Sequence, residues 1–280
     1  MKYGINIINF GKDYFHPNSL AELASDAETA GWDGFFLWDH LFASWADIPF
    51  VDPWIALSAI AVKTNRIQIG SMITPVARRR PWKLARETVS LDHLSEGRLI
   101  LGVGLGNPPS EFTIFGEEGN NKIRAKKLDE GLVILTGLWS GKPFSYSGEY
   151  YQVEEITFLP KPVQSPRIPI WVGGFWPNKK PFQRAARWDG VFPGKDGFDP
   201  LTPSELKEIL SYIDSYRPKS KSKSFDVMVG GSTPVDPEKG AEIVAEYIEA
   251  GATWWSEEIN GLRGTFEEMR ERIYQGPPKI

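Results

Sequence analysis

Three histidines occur in the 280 residues, and one of them, His40, follows directly on an apolar run, Phe35-Phe36-Leu37, and an aspartate. An imidazole titrates near neutral pH, so at the end of a buried strand it could give a proton to a substrate or take one. Asp39 could orient it or cap the following turn, and Trp38 and Trp45 could wall a pocket around it. His93, in a helix beside Asp92, reads as local packing, and His16 has no chemical company in its loop. A second stretch of interest is Gly97–Glu111, GRLILGVGLGNPPSE. Its apolar run Leu99–Val103 gives way to Gly102, Gly104 and Gly106 and then to Asn107-Pro108-Pro109, which reads as a strand ending in a wide loop. Glycine so spaced lets the backbone approach something flat or phosphorylated, and it also relieves crowding between barrel strands. Gly173-Gly174, before a helix near Pro181–Arg187, could offer free backbone N–H groups to a phosphate or simply turn the chain.

Other chemistries are excluded by what is missing. There is no cysteine, hence no disulfide, thiolate nucleophile or Cys-based metal site. The histidines are scattered singly, so no metal site is expected, and no GxSxG elbow marks a serine hydrolase. Gly102-Val-Gly-Leu-Gly-Asn nearly matches a dinucleotide fingerprint, but its last position is Asn107 and the strand is the fourth. Asp129-Glu130 and Glu154-Glu155 are neighbours that point to different faces, not a catalytic carboxylate pair. With 32 Lys and Arg against 36 Asp and Glu the formal charge is −4, which does not suit a nucleic-acid binder. The one basic run, Lys219-Ser-Lys-Ser-Lys-Ser, reads as a solvated linker. The N-terminal MKYGINIINF is broken by Asn6 and Asn9, unlike a signal peptide, and no apolar stretch is long enough for a membrane span. A soluble, cytoplasmic protein without membrane contact is expected.

The elements that must position these residues alternate. Strands are read at Lys2–Asn9, Phe35–Leu37, Ile67–Ile73, Leu99–Val103, Ile168–Val172, Asp189–Phe192, Phe225–Val229 and Thr253–Ser256. Between them lie helices opened by Ser19 with Glu22, by Asp52-Pro53, near Trp82, at Lys122, near Pro181, by Thr202-Pro203 with Glu205, and by Asp236-Pro237; Thr265 with Glu268 caps a last one. Strands separated by helices run parallel, and eight such units in this length fit a single closed (β/α)₈ barrel, residues 1–280. Two β-prone runs within Phe144–Val153, parted at Ser147-Gly148, read as a hairpin insertion, about 142–167, between the fourth helix and the fifth strand. Barrel sites lie at the C-terminal ends of strands, which collects Asn6 and Asn9, Trp38-Asp39-His40, Ser71–Thr74, Gly104–Asn107, Gly173-Gly174, and Trp254-Trp255 with Glu257 and Glu258.

Six motifs in order, Trp38-Asp-His-Leu, Gly70-Ser-Met-Ile-Thr-Pro, Leu91-Asp-His-Leu-Ser-Glu-Gly-Arg, Gly102-Val-Gly-Leu-Gly, Arg124 with Leu138-Trp-Ser-Gly, and Ile170-Trp-Val-Gly-Gly, resemble the bacterial luciferase-like superfamily over about residues 1–200. That superfamily contains reduced-FMN monooxygenases and F420-dependent dehydrogenases and reductases. The resemblance implies a (β/α)₈ barrel holding a flavin ring at the strand ends. It implies a cis peptide at Met72–Ile73, cofactor contacts from Met72, Ile73, Thr74, Gly104, Gly106, Asn107, Gly173 and Gly174, and an active-site histidine at His40. Phe175 and Trp176 join Trp38 and Trp45 as expected pocket walls. Two departures stand out: Asn107 replaces the acid glutamate of a sugar-phosphate dehydrogenase of the F420 branch, and the arginine that luciferase carries near Leu105 is absent.

The expectation is an oxidoreductase acting on a small organic substrate, a monooxygenase with reduced FMN and O₂ supplied through a separate reductase. The alternatives are F420-dependent hydride transfer, a barrel that binds flavin without catalysis, or a hydrolase or lyase using Glu257 or Glu258. A homodimer is implied by the resemblance.

Overall fold

A computed structural model describes residues 1–43, 46–197, 199–218, 224–234, 236–278 and 280. Eight parallel strands close into a barrel: β1 (Lys2–Ile7), β2 (Gly34–Leu37), β3 (Gln68–Pro75), β4 (Leu99–Gly104), β7 (Ile170–Trp176), β8 (Gly190–Lys195), β9 (Asp226–Gly231) and β10 (Trp254–Ile259). Around the ring they run β1, β10, β9, β8, β7, β4, β3, β2. The outer helices are α1 (Pro17–Thr29), α2 (Pro53–Lys63), α3 (Pro81–Leu94), α5 (Asn121–Trp139), α6 (Lys179–Ala185), α7 (Pro203–Tyr216), α8 (Pro237–Glu249) and α9 (Phe266–Tyr274). The expected barrel is therefore present.

The expected hairpin, β5 (Pro143–Ser147) with β6 (Gln152–Thr157), lies between α5 and β7 as a separate antiparallel pair. Its turn is tied to the barrel by Glu130, whose carboxylate accepts the backbone N–H groups of Glu149, Tyr150 and Tyr151. Asp129 instead pairs with Arg184 and Arg187, so the two adjacent acids do face different neighbours.

Local chemistry set most boundaries. Asp52 accepts from the N–H groups of Trp54 and Ile55 ahead of Pro53, and the capping boxes at Thr202/Glu205 and Thr265/Glu268 form. The Ser19/Glu22 box does not. α1 begins three residues earlier, with His16 at the N-cap, because Pro17 presets a helical φ, leaving Ser19 inside the first turn. Two elements depart further from expectation. A one-turn helix, α4 (Ser110–Thr113), breaks the loop after β4. β7 continues to Trp176, so Gly173 and Gly174 pair with Phe192 and Pro193 of β8 instead of forming a turn. Residues 219–223 of the basic run lie outside the described residues.

Period-two alternation divides each strand between two cores. Ile5, Ile7, Phe35, Leu37, Val172 and Trp255 face the helices. Phe36, Met72, Ile100, Trp171, Met228 and Trp254 fill the barrel axis. The Trp171 and Trp254 rings meet edge to face at 5.3 Å, and each lies 5.9 Å from Phe36. Gly34 makes room for this plug: a Cβ there would stand 2.5 Å from the Phe36 ring. With the axis packed, space for a ligand lies above the plug, at the C-terminal strand ends.

Below the plug, Asp226 accepts a hydrogen bond from Trp254 Nε1 at 3.2 Å, and burial pushes its carboxyl above the usual range. A pKa raised by folding contributes stability that is whole below the ordinary aspartate range and is lost as pH rises through the folded value. Asp226→Asn keeps an acceptor for Trp254 and removes the charge. Urea unfolding from about pH 4 to about pH 7 should show stability falling less steeply in the variant than in the wild type. Parallel profiles would refute the assignment.

Candidate active site

The chain that follows β2 carries Trp38-Asp39-His40 to the mouth of the barrel. Asn9, fully buried, fixes it there by donating to the carbonyls of His40 (3.0 Å) and Val51 (2.8 Å). The single 3₁₀ turn after β3, Val76–Arg78, delivers Arg78 and Arg79. α4 delivers Glu111, placed by Pro108-Pro109 and by the burial of Phe112 beside it. Three βα loops thus converge on one cluster.

The cluster is a chain of charges. His40 Nδ1 lies 2.5 Å from Glu111 Oε1, and the other Glu111 oxygen accepts from Arg78. Arg78 Nη2 also reaches Asp39 Oδ1 (2.6 Å) and the Asp39 carbonyl (2.8 Å), and Arg79 binds Asp39 Oδ2 at 2.9 Å. The side chains of Asp39, Glu111 and Arg78 are 0%, 2% and 6% exposed, whereas that of His40 is 21% exposed. The buried carboxylates are therefore met by guanidinium groups, and only the imidazole reaches the mouth. Asp39 does not orient His40. Its carboxylate is taken by Arg78 and Arg79, and Glu111 is the histidine's partner. With Nδ1–H donated to Glu111, Nε2 is the nitrogen left without a partner among the described residues, free to exchange a proton. The Trp38 ring stands 5.5 Å from the imidazole and Phe10 6.1 Å away.

The mouth has one wall almost without side chains. The peptide Met72–Ile73 is cis, as expected, and the β3–β4 register shifts between Ser71 and Thr74. The Ile73 side chain crosses the faces of two strands: a Cβ at Gly104 would stand 2.5 Å from its Cδ1, and one at Gly173 2.7 Å from its Cγ2. Met72 belongs to the plug beneath, and Thr74 is buried with its hydroxyl 2.5 Å from that of Ser71. Gly106, at φ +82, turns the following loop, and Arg124 clamps it by donating to the carbonyls of Leu105 and Gly106, both at 3.1 Å. Asn107 is exposed at the rim. This apolar, glycine-lined cradle fits a flat ring such as a flavin.

Several expected contacts move. Phe175 follows Trp171 and Gly173 in the inward register and is 41% exposed at the mouth. Trp176, one residue on, faces the helices and packs on Phe182 of α6 at 5.6 Å, so it is not a pocket wall. Gly174 also faces outward, against Pro181. Trp45 lies outside the described residues. Glu257 is fully buried on the helix side, accepting from Thr233, Trp255 and Arg263, which leaves it no free oxygen for hydrolysis. Glu111 and Arg78 were not among the expected site residues. Their signals were a carboxylate opening a helical turn after Pro108-Pro109 and an arginine run, Arg78-Arg79-Arg80, at the end of a buried strand.

The sequence matches the luciferase-like monooxygenase family over residues 1–274. The chain belongs to that family. An F420-dependent glucose-6-phosphate dehydrogenase of Microbacterium testaceum is 35% identical over 169 residues, covering 59% of this chain and 49% of that protein. The chain thus spans about half the length of the curated relatives it matches. Two solved structures share the luciferase-like barrel. The FMN-bound oxygenating constituent of 3,6-diketocamphane monooxygenase from Pseudomonas putida superposes with a TM-score of 0.78 at 18% identity, covering 98% of this chain and 96% of that one. The F420-dependent tetrahydromethanopterin reductase of Methanopyrus kandleri gives 0.76 at 18% identity, covering 99% and 98%. Among the described residues no helix is long and apolar enough to cross a membrane, and no group of acids and histidines could hold a metal ion.

Because Arg78 is buried between two carboxylates, Glu111→Ala should destabilise the protein by about 3 kcal/mol, the cost of leaving a buried charge short of a partner. Urea unfolding measures it; a change below about 0.5 kcal/mol would show that the pair is not sealed from water.

Proposed function

We propose that the protein is an oxidoreductase that seats a flavin-type cofactor on the glycine-lined wall and uses His40 to carry the proton of the reaction. The observation that supports this most directly is the His40–Glu111 pair, with its remaining ring nitrogen unengaged at the barrel mouth. F420 is the favoured cofactor, because the curated relatives are named as F420-dependent dehydrogenases. The reading with reduced FMN and O₂ is kept as the second, supported by the description of the family as monooxygenases.

When bound, F420 would supply or accept the hydride. The protein's own part is positional and protic. Ile73, Gly104 and Gly173 would bear the ring, and Gly106 and Asn107 would border it at the loop that Arg124 clamps. Glu111 holds Nδ1 and thereby directs proton exchange to Nε2 of His40. Trp38 and Phe10 shield the imidazole from bulk water on their side. A substrate alcohol losing hydride would lose its hydroxyl proton to Nε2; a carbonyl gaining hydride would take one from it.

His40→Asn should lower turnover with F420 by about 10²-fold or more while leaving F420 affinity within about threefold, read by steady-state kinetics beside a fluorescence titration. Unchanged turnover would remove His40 from the chemistry. A barrel that only binds flavin would show affinity without turnover in both proteins.

A further inference from the structure

One polar group of the mouth is used by nothing described above. Along β10, Trp254 belongs to the plug and Trp255 and Glu257 face the helices, so Ser256 and Glu258 face inward above Trp254. Asn6 of β1 is the lateral partner of Glu258, and its neighbours Ile5 and Ile7 face the helices, so Asn6 faces inward as well. Asn6 is 4% exposed and Ser256 fully buried, and among the described residues neither Asn6 Oδ1 nor Ser256 Oγ has a hydrogen-bond partner. The Glu258 carboxyl overhangs glycine: a Cβ at Gly230 would stand 3.4 Å from Glu258 Oε1 and 3.6 Å from the Phe192 ring. Among the described residues no cation pairs with it, since Arg263 spends its guanidinium on Glu257, the Glu258 carbonyl and the Thr233 carbonyl.

Buried polar groups without partners are costly, and two of them, Asn6 Oδ1 and Ser256 Oγ, stand beside the half-buried Glu258 carboxyl, a demand that a ligand in the mouth can meet. β10 stands four strands from β4 around the ring, and β1 four strands from β7, so this polar wall lies directly across from Gly104 and Gly173. A molecule lying between the two walls meets the Ile73 side chain, flat over Gly104 and Gly173, on one side and Glu258 with Asn6 on the other. We propose that Glu258 and Asn6, floored by Ser256, form the substrate-reading wall of the mouth and bind a hydroxyl or carbonyl oxygen of an uncharged substrate. The proposal rests on the oxidoreductase reading for the identity of the ligand as substrate.

The absence of charge in the ligand follows from the lining. The inward strand positions above the plug include Asn6, Gly104, Gly173, Phe175, Phe192, Gly230, Ser256 and Glu258, none of them basic. Lys195, at the end of β8, falls in the outward register and pairs with Glu205 of α7 at 3.1 Å. At this wall a phosphate or carboxylate would therefore meet an acid and no lysine or arginine. Burial, and the neighbouring Glu257 charge, push the Glu258 carboxyl above the usual glutamate range against the pull of Arg263, which favours its acting as a hydrogen-bond donor to oxygen.

The test is difference infrared spectroscopy of the full chain, following the carboxyl stretch that disappears in Glu258→Gln. The probes are glucose, glycerol, cyclohexanol and acetone, with glucose 6-phosphate and glycerol 3-phosphate as charged counterparts. The expected result is that at least one uncharged probe shifts the band and the phosphorylated ones do not. No shift from any uncharged probe, or an equal shift from the phosphates, overturns the proposal. This readout needs no cofactor, so it stands apart from failure of the oxidoreductase reading, which would appear as absent F420 and FMN binding. Where turnover is seen, Glu258→Ala should raise KM for the uncharged substrate about tenfold with kcat changed less than about threefold, and Glu258→Gln should restore most of it. An unchanged KM in Glu258→Ala overturns the proposal too.

Discussion

The buried guanidinium of Arg78 is the constraint on which the site depends. Among the described residues it is the one side chain that hydrogen-bonds both Asp39, in the loop after β2, and Glu111, in the helical turn after β4. Removing three such charges from water costs several kcal/mol per ion, a cost that only close, multiply bonded pairing can offset. The planar fork of arginine allows it: Arg78 makes contacts with both carboxylates and with a main-chain carbonyl, and Arg79 completes the neutralisation of Asp39. The pairing locks three loops to one another. The His40 ring inherits its position from that lock, since among the described residues its one side-chain hydrogen bond is to Glu111.

The rest of the barrel explains why such a lock sits where it does. The aromatic plug of Phe36, Trp171 and Trp254 fills the axis and leaves the strand ends as the remaining cavity floor. Around that floor side-chain size is distributed unevenly. Gly104 and Gly173 withdraw on one side so that Ile73 can lie flat, while Asn6, Ser256 and Glu258 put polar atoms on the other. The loop after β4 serves both functions, because Arg124 holds its glycine turn and Pro108-Pro109 launches the turn that carries Glu111. Cradle and proton carrier are thus mechanically one unit.

The barrel was legible in the sequence because its signals are local: apolar strand runs, Asp52-Pro53 and Thr202-Pro203 caps, and a hairpin between α5 and β7. His40 was legible because a strand end gives a histidine an address. Its partner was not. Glu111 stands 71 residues away, and adjacency in sequence favoured Asp39, which only the arrival of Arg78 and Arg79 diverts. The glycine pair at 173 and 174 read as a turn because propensity reads glycine as a breaker, whereas pairing with β8 carries the strand to Trp176. That extension by itself decides that Phe175 faces the mouth and Trp176 the helices.

The central claim is a barrel mouth built to hold a flavin-type ring beside a proton carrier. Its most direct measurement is a parallel equilibrium titration of the purified chain with F420 and FMN, each oxidised and reduced, followed by cofactor and tryptophan fluorescence. Micromolar binding of F420, with FMN at least about tenfold weaker, is the result predicted here, a margin of about 1.4 kcal/mol. Binding of neither cofactor in either redox state would contradict the account.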